Sequence, residues 1–395
     1  MWKPIIQDPK LRERIISKIS DIDLSFPAPD DDLTLLLGLP GKVLYKSYYS
    51  RFLQDNSRLE EVLQDIETII RKVGTISDLN LSSGYAGLLF LFDHLDQNQF
   101  CEFDEDFFEI DKEALEEYVK KSKDLDFLHG NTGIVWSLLE SKKKTYFESM
   151  YSEWISQIIR TKEDSKDELK FKVETSKKDG SVISGYSLGL SHGIPSILLI
   201  LLKYHKFSNN ETALDLAIKA NNFIYNSRFR NGGDYFMPNL IVDGVEPMGR
   251  LAWCYGDLGC ALSFYLFGRY TNNKKFVDFS DQIFLSHSVG NTKIDYDIFD
   301  PSICHGSVGI AHIYARMYNY TGNEKYRETA EYWYKVTIEK AVFPEGISGF
   351  RNADSIDDKY VYATGLLMGT SGIGLSLISS ISDIEPKWDS CLLLS

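Results

Sequence analysis

The amino-acid sequence predicts an all-α protein folded as an α/α toroid, with six inner and six outer helices. Two observations support this prediction: a glycine turn recurs six times along the chain, and a largely apolar stretch of helical length follows each turn. Neighbouring turns begin 46 to 63 residues apart, which is typical of repeat proteins whose units bury an apolar face against their neighbours. The first glycines of the six turns are Gly84, Gly130, Gly193, Gly256, Gly306 and Gly369.

The stretches after the turns are apolar on nearly every side, as residues 194–202 and 258–267 illustrate. Helices with this composition belong in a protein interior. An amphipathic outer helix is expected after each inner helix, because residues that suit an N-cap recur at the same offset behind three of the turns. The three outer helices predicted in this way span residues 211–227, 274–285 and 324–340. Six such pairs close most economically as a toroid whose turns all lie at one mouth.

Residues 81–395 form the predicted toroid, and residues 1–80 are expected to be an N-terminal helical segment that packs on it within a single domain. A helix predicted over about residues 43–73 supplies the outer partner of the last repeat. Two stretches interrupt the repeats: residues 161–187 are dense in alternating charge, and residues 228–249 contain glycine-rich turns. Both are predicted to be insertions, the second a hairpin, and to hold the little strand that the protein contains.

The composition argues against several classes of partner. A formal net charge of −14 and a sequence pI near 5.1 disfavour binding to nucleic acid or to an anionic membrane. The sequence has no apolar run of membrane-spanning length, and its first residues lack the apolar core of a signal peptide. An odd number of cysteines, five, suits a reducing cytoplasm, where cysteines serve as ligands or core residues more often than in disulfides.

The residues directly before the first glycine of each turn occupy equivalent positions in the repeat. In two successive turns these positions hold Cys254-Tyr255 and Cys304-His305. Two thiolates and one imidazole suit Zn²⁺, and three protein ligands leave a fourth position for water or substrate. The cysteines are 50 residues apart, with no paired-cysteine motif, so two buried core cysteines are the alternative on spacing alone.

Three segments closely resemble the signatures of the LanC family, the lanthionine synthetase C-like proteins that include the cyclases of class I lantibiotics. The segments span residues 189–195 (GLSHGIP), 250–256 (RLAWCYG) and 304–306 (CHG), in this order. The resemblance covers all six turns, essentially residues 80–382, and departs from the family pattern at Ser196, where glycine is common. It implies an α/α toroid, which the periodicity predicts independently.

The resemblance also implies a set of site residues. The family's zinc ligands, for one Zn²⁺ per chain, correspond to Cys254, Cys304 and His305. Its further active-site positions correspond to His192, Asp126, Arg250 and Tyr255. Two other residues with suitable chemistry match no family position: His129 is interpreted as structural or pocket-lining, and Cys260 as a core residue.

The activity implied by the resemblance is the addition of a peptide cysteine thiol to dehydroalanine or dehydrobutyrine, which closes a lanthionine or methyllanthionine ring. Zinc ligation deprotonates a thiol and so supplies the nucleophile. The addition also needs a proton at the α-carbon, and His192 is the candidate acid or base because imidazole titrates near neutrality. Asp126 would orient His192 or take the thiol proton, and Arg250 would hold the developing enolate or Asp126.

The implied substrate is a dehydrated precursor peptide with a leader and a core rich in Ser, Thr and Cys. The implied partners are a lanthipeptide dehydratase and a transporter, in a complex that would bring an otherwise cytoplasmic chain to the inner face of the membrane. Two other functions stay open: an enzyme that uses the same zinc to add glutathione, and a non-catalytic, zinc-stabilised scaffold that binds peptides. A toroidal glycosidase is disfavoured, because no pair of carboxylates occupies the equivalent turn positions.

Overall fold

A computed structural model of the chain is mostly helical. It describes residues 1–395 except 27–30, 105–106, 109–110, 177–181, 231–232, 292–297, 299, 354–359 and 362. In this described part the α-helices are α1 (Pro9–Leu24), α2 (Leu39–Leu53), α3 (Leu59–Lys72), α4 (Tyr85–Gln97), α5 (Lys112–Lys121), α6 (Asn131–Glu140), α7 (Glu148–Thr161), α8 (Ile194–Ser208), α9 (Glu211–Asn226), α10 (Asp257–Tyr270), α11 (Lys274–Ser286), α12 (Ser307–Thr321), α13 (Glu324–Glu339) and α14 (Thr370–Ile381). None of these helices combines the length and the apolar character that a membrane span requires.

Contacts between residues divide the chain into two compact units. The first unit contains residues 1–78, 82–108 and 287–395, and the second contains residues 79–81 and 109–286. The first unit therefore holds both ends of the chain, with helices α1 to α4 and α12 to α14, and the second holds helices α5 to α11. The predicted boundary between the N-terminal segment (residues 1–80) and the toroid (residues 81–395), and their predicted union in a single domain, stay predictions.

Among the described residues, seven helices begin directly after a glycine that serves as the N-cap. Six of these glycines are the ones identified in the sequence. The seventh is Gly38, which lies 46 residues before Gly84, the same separation as between Gly84 and Gly130. The predicted number of glycine-started inner helices is therefore one too few, although the repeat can be recognised at Gly38. The seven helices are α2, α4, α6, α8, α10, α12 and α14.

One backbone hydrogen bond closes six of these seven turns in the described part of the chain. The N–H of the residue after the glycine donates to the carbonyl oxygen seven residues earlier, over 2.7 to 3.1 Å. The preceding chain is thus held against the start of the helix, where a side chain on the glycine would collide. A Cβ at Gly306 would lie 2.2 Å from Asp300 Oδ1, and a Cβ at Gly256 would lie 2.0 Å from the Arg250 carbonyl oxygen. Gly256 also has a φ of +84°, which favours glycine for a second reason.

The single helix predicted over about residues 43–73 is wrong, because two helices, α2 and α3, occupy this stretch. Gln54 takes the left-handed conformation with a φ of 56° and ends α2, and Asp55 caps the short 3₁₀ turn that follows. Part of the predicted stretch, α2, does pack against α14 in the first unit, although α2 begins at a glycine like the inner helices. The helix α1, which was not the predicted partner, also packs against α14, and Arg12 Nη1 donates to the Ile381 carbonyl oxygen over 2.7 Å.

The three predicted outer helices are confirmed as α9, α11 and α13, each within one residue of the predicted end. The side chains of Asn210 and Asn323 cap α9 and α13 by accepting backbone N–H groups of the first turn. Each outer helix packs against the apolar helix that precedes it, which buries its apolar stripe.

The described strands are short: β1 (Val173–Ser176), β2 (Val182–Ser187), β3 (Leu240–Ile241), β4 (Asn352–Ala353) and β5 (Tyr360–Val361). In the second unit they form one antiparallel sheet of order β1-β2-β3, so the two predicted insertions pair with each other. The hairpin predicted for residues 228–249 is confirmed, because Pro238 and Gly249 form an antiparallel bridge and the Asn239 N–H donates to the Met248 carbonyl oxygen over 2.8 Å. Its strand β3 pairs in addition with β2, outside that segment. The β4–β5 pair lies in the first unit, outside both predicted insertions.

Candidate active site

Backbone hydrogen bonds hold the two predicted cysteine ligands in place. In the second unit, the Ser191 N–H and hydroxyl both donate to the Cys254 carbonyl oxygen, over 3.4 and 3.2 Å. In the first unit, the Cys304 N–H donates to the Leu367 carbonyl oxygen over 3.2 Å. All four residues stand two positions before the first glycine of a turn, so these bonds join turns at equivalent positions of the repeat.

His192 and Asp126 form a hydrogen-bonded pair in the second unit. Nδ1 of His192 lies 2.7 Å from Asp126 Oδ2, and the side chains are 31% and 17% exposed. The other carboxylate oxygen, Oδ1, accepts the N–H groups of Leu128 and His129 over 2.7 and 2.8 Å. Asp126 is therefore held by its own loop, and it orients the imidazole ring so that Nε2 points away from the carboxylate.

The pair stabilises opposite charges on its two members. Burial by itself raises the pKa of Asp126, but the hydrogen bond and charge of His192 outweigh it, so the pKa of this carboxyl is lowered. Burial likewise lowers the pKa of His192, but the hydrogen bond and charge of Asp126 outweigh it, so the pKa of the imidazole is raised. His192 is consequently protonated at neutral pH more readily than an ordinary histidine.

Two aromatic rings flank His192. The Tyr255 ring lies 6.1 Å from the His192 ring between centroids, and the His129 ring stacks on it at 5.6 Å with an interplanar angle of 16°. Gly189 makes room for Tyr255, since a Cβ there would lie 2.6 Å from Tyr255 Cδ1. His129, predicted to be structural or pocket-lining, is exposed and packs directly on the ring of His192.

Arg250 is half-buried at the start of the turn that carries Cys254. Its carbonyl oxygen accepts the Asp257 N–H over 2.9 Å. Within the described residues its guanidinium makes no hydrogen bond or ion pair, with Asp126 or with any other residue. The structure therefore does not pair Arg250 with Asp126, and the role of Arg250 at the enolate stays a prediction.

Asp257 is a buried residue of this turn that the sequence analysis missed. Its carboxylate accepts the N–H groups of Phe236 and Met237, the latter over 2.7 Å. The segment before β3 is thereby anchored to the first turn of α10, directly after Cys254-Tyr255. An acidic residue at N1 of a helix was the only sequence signal for it.

His305 is held by a carboxylate of its own turn in the first unit. Its Nε2 lies 2.9 Å from Asp300 Oδ2, and the two side chains are 8% and 0% exposed. Asp300 Oδ1 accepts the Ser302 N–H over 2.8 Å. Burial raises the pKa of Asp300, but the His305 hydrogen bond and charge outweigh it, so the pKa of this carboxyl is lowered. Asp300 is not among the site residues predicted from the sequence.

Cys254, Cys304 and His305 together offer the donors that suit a metal ion, two thiols and one imidazole, at equivalent positions of two successive turns. Two thiolates and one imidazole match the donors that Zn²⁺ takes in sites with an open fourth position. Cys260 differs from both ligand cysteines: it is fully buried, burial raises the pKa of its thiol, and the thiol donates to the Leu188 carbonyl oxygen over 3.1 Å. It is a core residue, as predicted.

Comparisons with known proteins show the family of this chain and its fold. A family model described as "Lanthionine synthetase C-like protein" matches residues 29–393. Among solved structures, "Nisin cyclase" is 22% identical, with a TM-score of 0.69 over 98% of each chain. This likeness confirms the predicted all-α class and the α/α-toroid fold. A cellobiose 2-epimerase from Bacillus thermoamylovorans B4167 matches at 11% identity and a TM-score of 0.44, over 95% of this chain and 100% of the other. No curated protein sequence matches significantly.

Proposed function

The chain belongs to the lanthionine synthetase C-like family, and we propose that it is a zinc-dependent lanthipeptide cyclase. In the proposed reaction a cysteine thiol of a dehydrated peptide adds to dehydroalanine or dehydrobutyrine. A carbon–sulfur bond forms at the β-carbon, the carbon–carbon double bond becomes single, and the proton released by the thiol is balanced by one delivered to the α-carbon. The product has the mass of the substrate.

The observation that carries this proposal is the donor set of Cys254, Cys304 and His305, two thiols and one imidazole at equivalent positions of two successive turns, in a chain of this family. Zn²⁺ bound by these residues would hold the sulfur of the substrate cysteine as a thiolate. Two protein thiolates place negative charge beside that sulfur and keep it electron-rich. A set of neutral nitrogen ligands would favour the activation of water over that of sulfur.

His192 is the proposed proton donor to the α-carbon. Its Nδ1 is held by Asp126 at 2.7 Å, which presents Nε2 for transfer, and its raised pKa favours the protonated form. Arg250 supplies a cation for the oxygen of the enolate that develops after attack on the β-carbon, because no carboxylate of the described residues engages it. Tyr255 limits the position of the His192 ring through the contact between the two rings.

The proposed substrate is a precursor peptide that a dehydratase has already acted on, since dehydroalanine and dehydrobutyrine arise by loss of water from Ser and Thr. The proposed partners are that dehydratase and a transporter for the finished peptide. We place the chain in the cytoplasm, associated with the inner face of the membrane through these partners rather than through its own helices.

The test is incubation of the purified chain with a dehydrated peptide that has free cysteines. Loss of titratable thiols without change in peptide mass supports the cyclase. A gain of the mass of glutathione, when glutathione is the only thiol supplied, identifies a glutathione-adding enzyme instead. Tight peptide binding with no loss of thiols identifies a zinc-stabilised scaffold and overturns the cyclase.

A further inference from the structure

We propose that Asp300 is a positioning residue that selects which ring nitrogen of His305 binds the metal. This inference rests on the proposed metal site, and it assigns a task to a carboxylate of this chain that is not itself a ligand.

The first oxygen of Asp300 has a role that recurs in other turns. An aspartate stands six residues before the first glycine in four of the seven turns, at Asp32, Asp78, Asp124 and Asp300. In three of them Oδ1 accepts the N–H group two residues later, over 2.8 Å at Asp32, 2.9 Å at Asp124 and 2.8 Å at Asp300. This is the local bond by which aspartate stabilises a turn, and it needs only one oxygen.

The second oxygen of Asp300 is used differently from that of its counterpart Asp124. Asp300 Oδ2 lies 2.9 Å from His305 Nε2, and both side chains are buried. The turn of Asp124 has a histidine at the same position, His129, yet in the described part of the chain no hydrogen bond joins these two side chains. The contact with imidazole is therefore an addition to the turn motif and not a consequence of it.

A carboxylate can only accept a hydrogen bond, so Nε2 of His305 carries the proton and Nδ1 carries the lone pair. A metal ligand must offer a lone pair, which makes Nδ1 the ligating nitrogen. The same bond holds the plane of the ring and increases the basicity of the ligating nitrogen. Burial strengthens the contact, because water does not compete for the carboxylate.

The discriminating variant is Asp300→Asn, with Asp124→Asn as the matched control. In either variant the amide oxygen still accepts the turn N–H. At position 300 the amide NH₂ replaces an acceptor with a donor, so Nε2 of His305 must accept and the proton moves to Nδ1. We expect the Zn²⁺ affinity of Asp300→Asn to fall by roughly 10- to 100-fold, the scale for loss of a carboxylate behind a ligating histidine. Asp124→Asn should bind Zn²⁺ as the unaltered chain does.

Affinity is measured by competition with a chromophoric chelator, and coordination by the visible absorption of Co²⁺ in place of Zn²⁺. A weaker and altered Co²⁺ spectrum in Asp300→Asn alone supports the inference. Unchanged Zn²⁺ affinity in Asp300→Asn overturns it. An equal loss of affinity in both variants also overturns it, because the substitution would then act by disturbing the turn and not through the contact with His305. If Asp300→Asn does not fold, Asp300→Ser, which keeps a turn acceptor but cannot reach the imidazole, serves the same comparison.

The experiment measures metal binding and not ring closure, so it tests the role of Asp300 independently of the proposed cyclase activity. A chain that binds Zn²⁺ in a manner dependent on Asp300, but closes no rings, supports the inference and contradicts the proposed function. A chain that closes rings with unchanged Zn²⁺ affinity in Asp300→Asn does the reverse.

Discussion

Two histidines at the same position of the repeat are held by opposite ring nitrogens. His192 and His305 each directly precede the first glycine of a turn. In the second unit His192 gives Nδ1 to Asp126, whose position is 66 residues away along the chain. In the first unit His305 gives Nε2 to Asp300 of its own turn. The first histidine is 31% exposed and the second 8% exposed.

The difference shows that the partner carboxylate, rather than the position in the repeat, decides what such a histidine can do. A partly exposed ring with Nε2 presented and a raised pKa suits exchange of a proton with a substrate. A buried ring with Nδ1 presented suits ligation of a metal. A repeat can therefore place the same residue type twice and obtain two functions by changing the neighbour.

The largest expected effect tests the ligand side of this comparison. Cys304→Ala removes one thiolate of the proposed set, and we expect loss of the bound metal and of ring closure to the level of a reaction without protein. Metal content per chain is measured by atomic spectroscopy, beside the rate of thiol loss. The control is Cys101→Ala, a half-buried cysteine outside the group. Full metal content in Cys304→Ala would show that the ligand set is wrong.

A third imidazole–carboxylate pair sharpens the comparison because it is fully buried. In the first unit His312 Nε2 lies 2.8 Å from Asp389 Oδ2, and Arg316 donates to both oxygens of the same carboxylate. We expect Asp389→Ala to lower the free energy of unfolding by about 3–5 kcal/mol, since it removes the buried carboxylate that pairs with the Arg316 cation and leaves only the more distant, exposed Glu385 carboxylate, 3.6 Å away among the described residues. Denaturant unfolding measures this.

The same variant, at a temperature where it is folded, should keep its Zn²⁺ content. Loss of zinc with little loss of stability would assign Asp389 to the site instead of the core.

The third effect concerns His192. In His192→Ala we expect Zn²⁺ to be retained, because His192 is not among the proposed ligands, and the rate of ring closure to fall by roughly 10² or more. Single-turnover rates and metal content are measured on the same preparation. His129→Ala is the control, since this ring stacks on His192 without a hydrogen bond to Asp126 through its side chain. A near-normal rate in His192→Ala would reduce His192 to a packing residue.

The smallest effect is a displacement of the pH profile in Asp126→Asn. The carboxylate raises the pKa of His192, so its removal lowers that pKa. If His192 donates its proton as imidazolium, the alkaline fall in rate should begin at lower pH in the variant. At a pH above the pKa of His192 in both proteins, each unit by which the variant lowers this pKa reduces the fraction of imidazolium about tenfold. An alkaline limb at the same pH in both proteins would exclude the His192–Asp126 pair as the acid.

Much of the fold follows from the sequence alone because its signals are local. Glycine N-caps, apolar helices and Asn caps depend on residues within one or two turns of helix, and α9, α11 and α13 end within one residue of prediction. The turn at Gly38, which was not among the six predicted turns, has the same sequence pattern. The proposed metal ligands could likewise be predicted from the sequence, because Cys254, Cys304 and His305 are residue types that bind metals and stand at equivalent positions before a glycine.

The tertiary structure decided which atoms of the partners meet. The family resemblance implies that Asp126 orients His192 or takes the thiol proton, but it does not indicate that Asp126 holds Nδ1, and nothing in the recurring aspartate motif indicates that the second oxygen of Asp300 faces an imidazole. The pairing of β3 with β2 belongs to the same class. Some of these contacts join residues far apart along the chain. Others form in one turn but not in another turn with the same residue types at the same spacing. In both cases the geometry depends on the packing of a whole unit. Ligand identity is thus a property of the sequence, and ring orientation is a property of the fold.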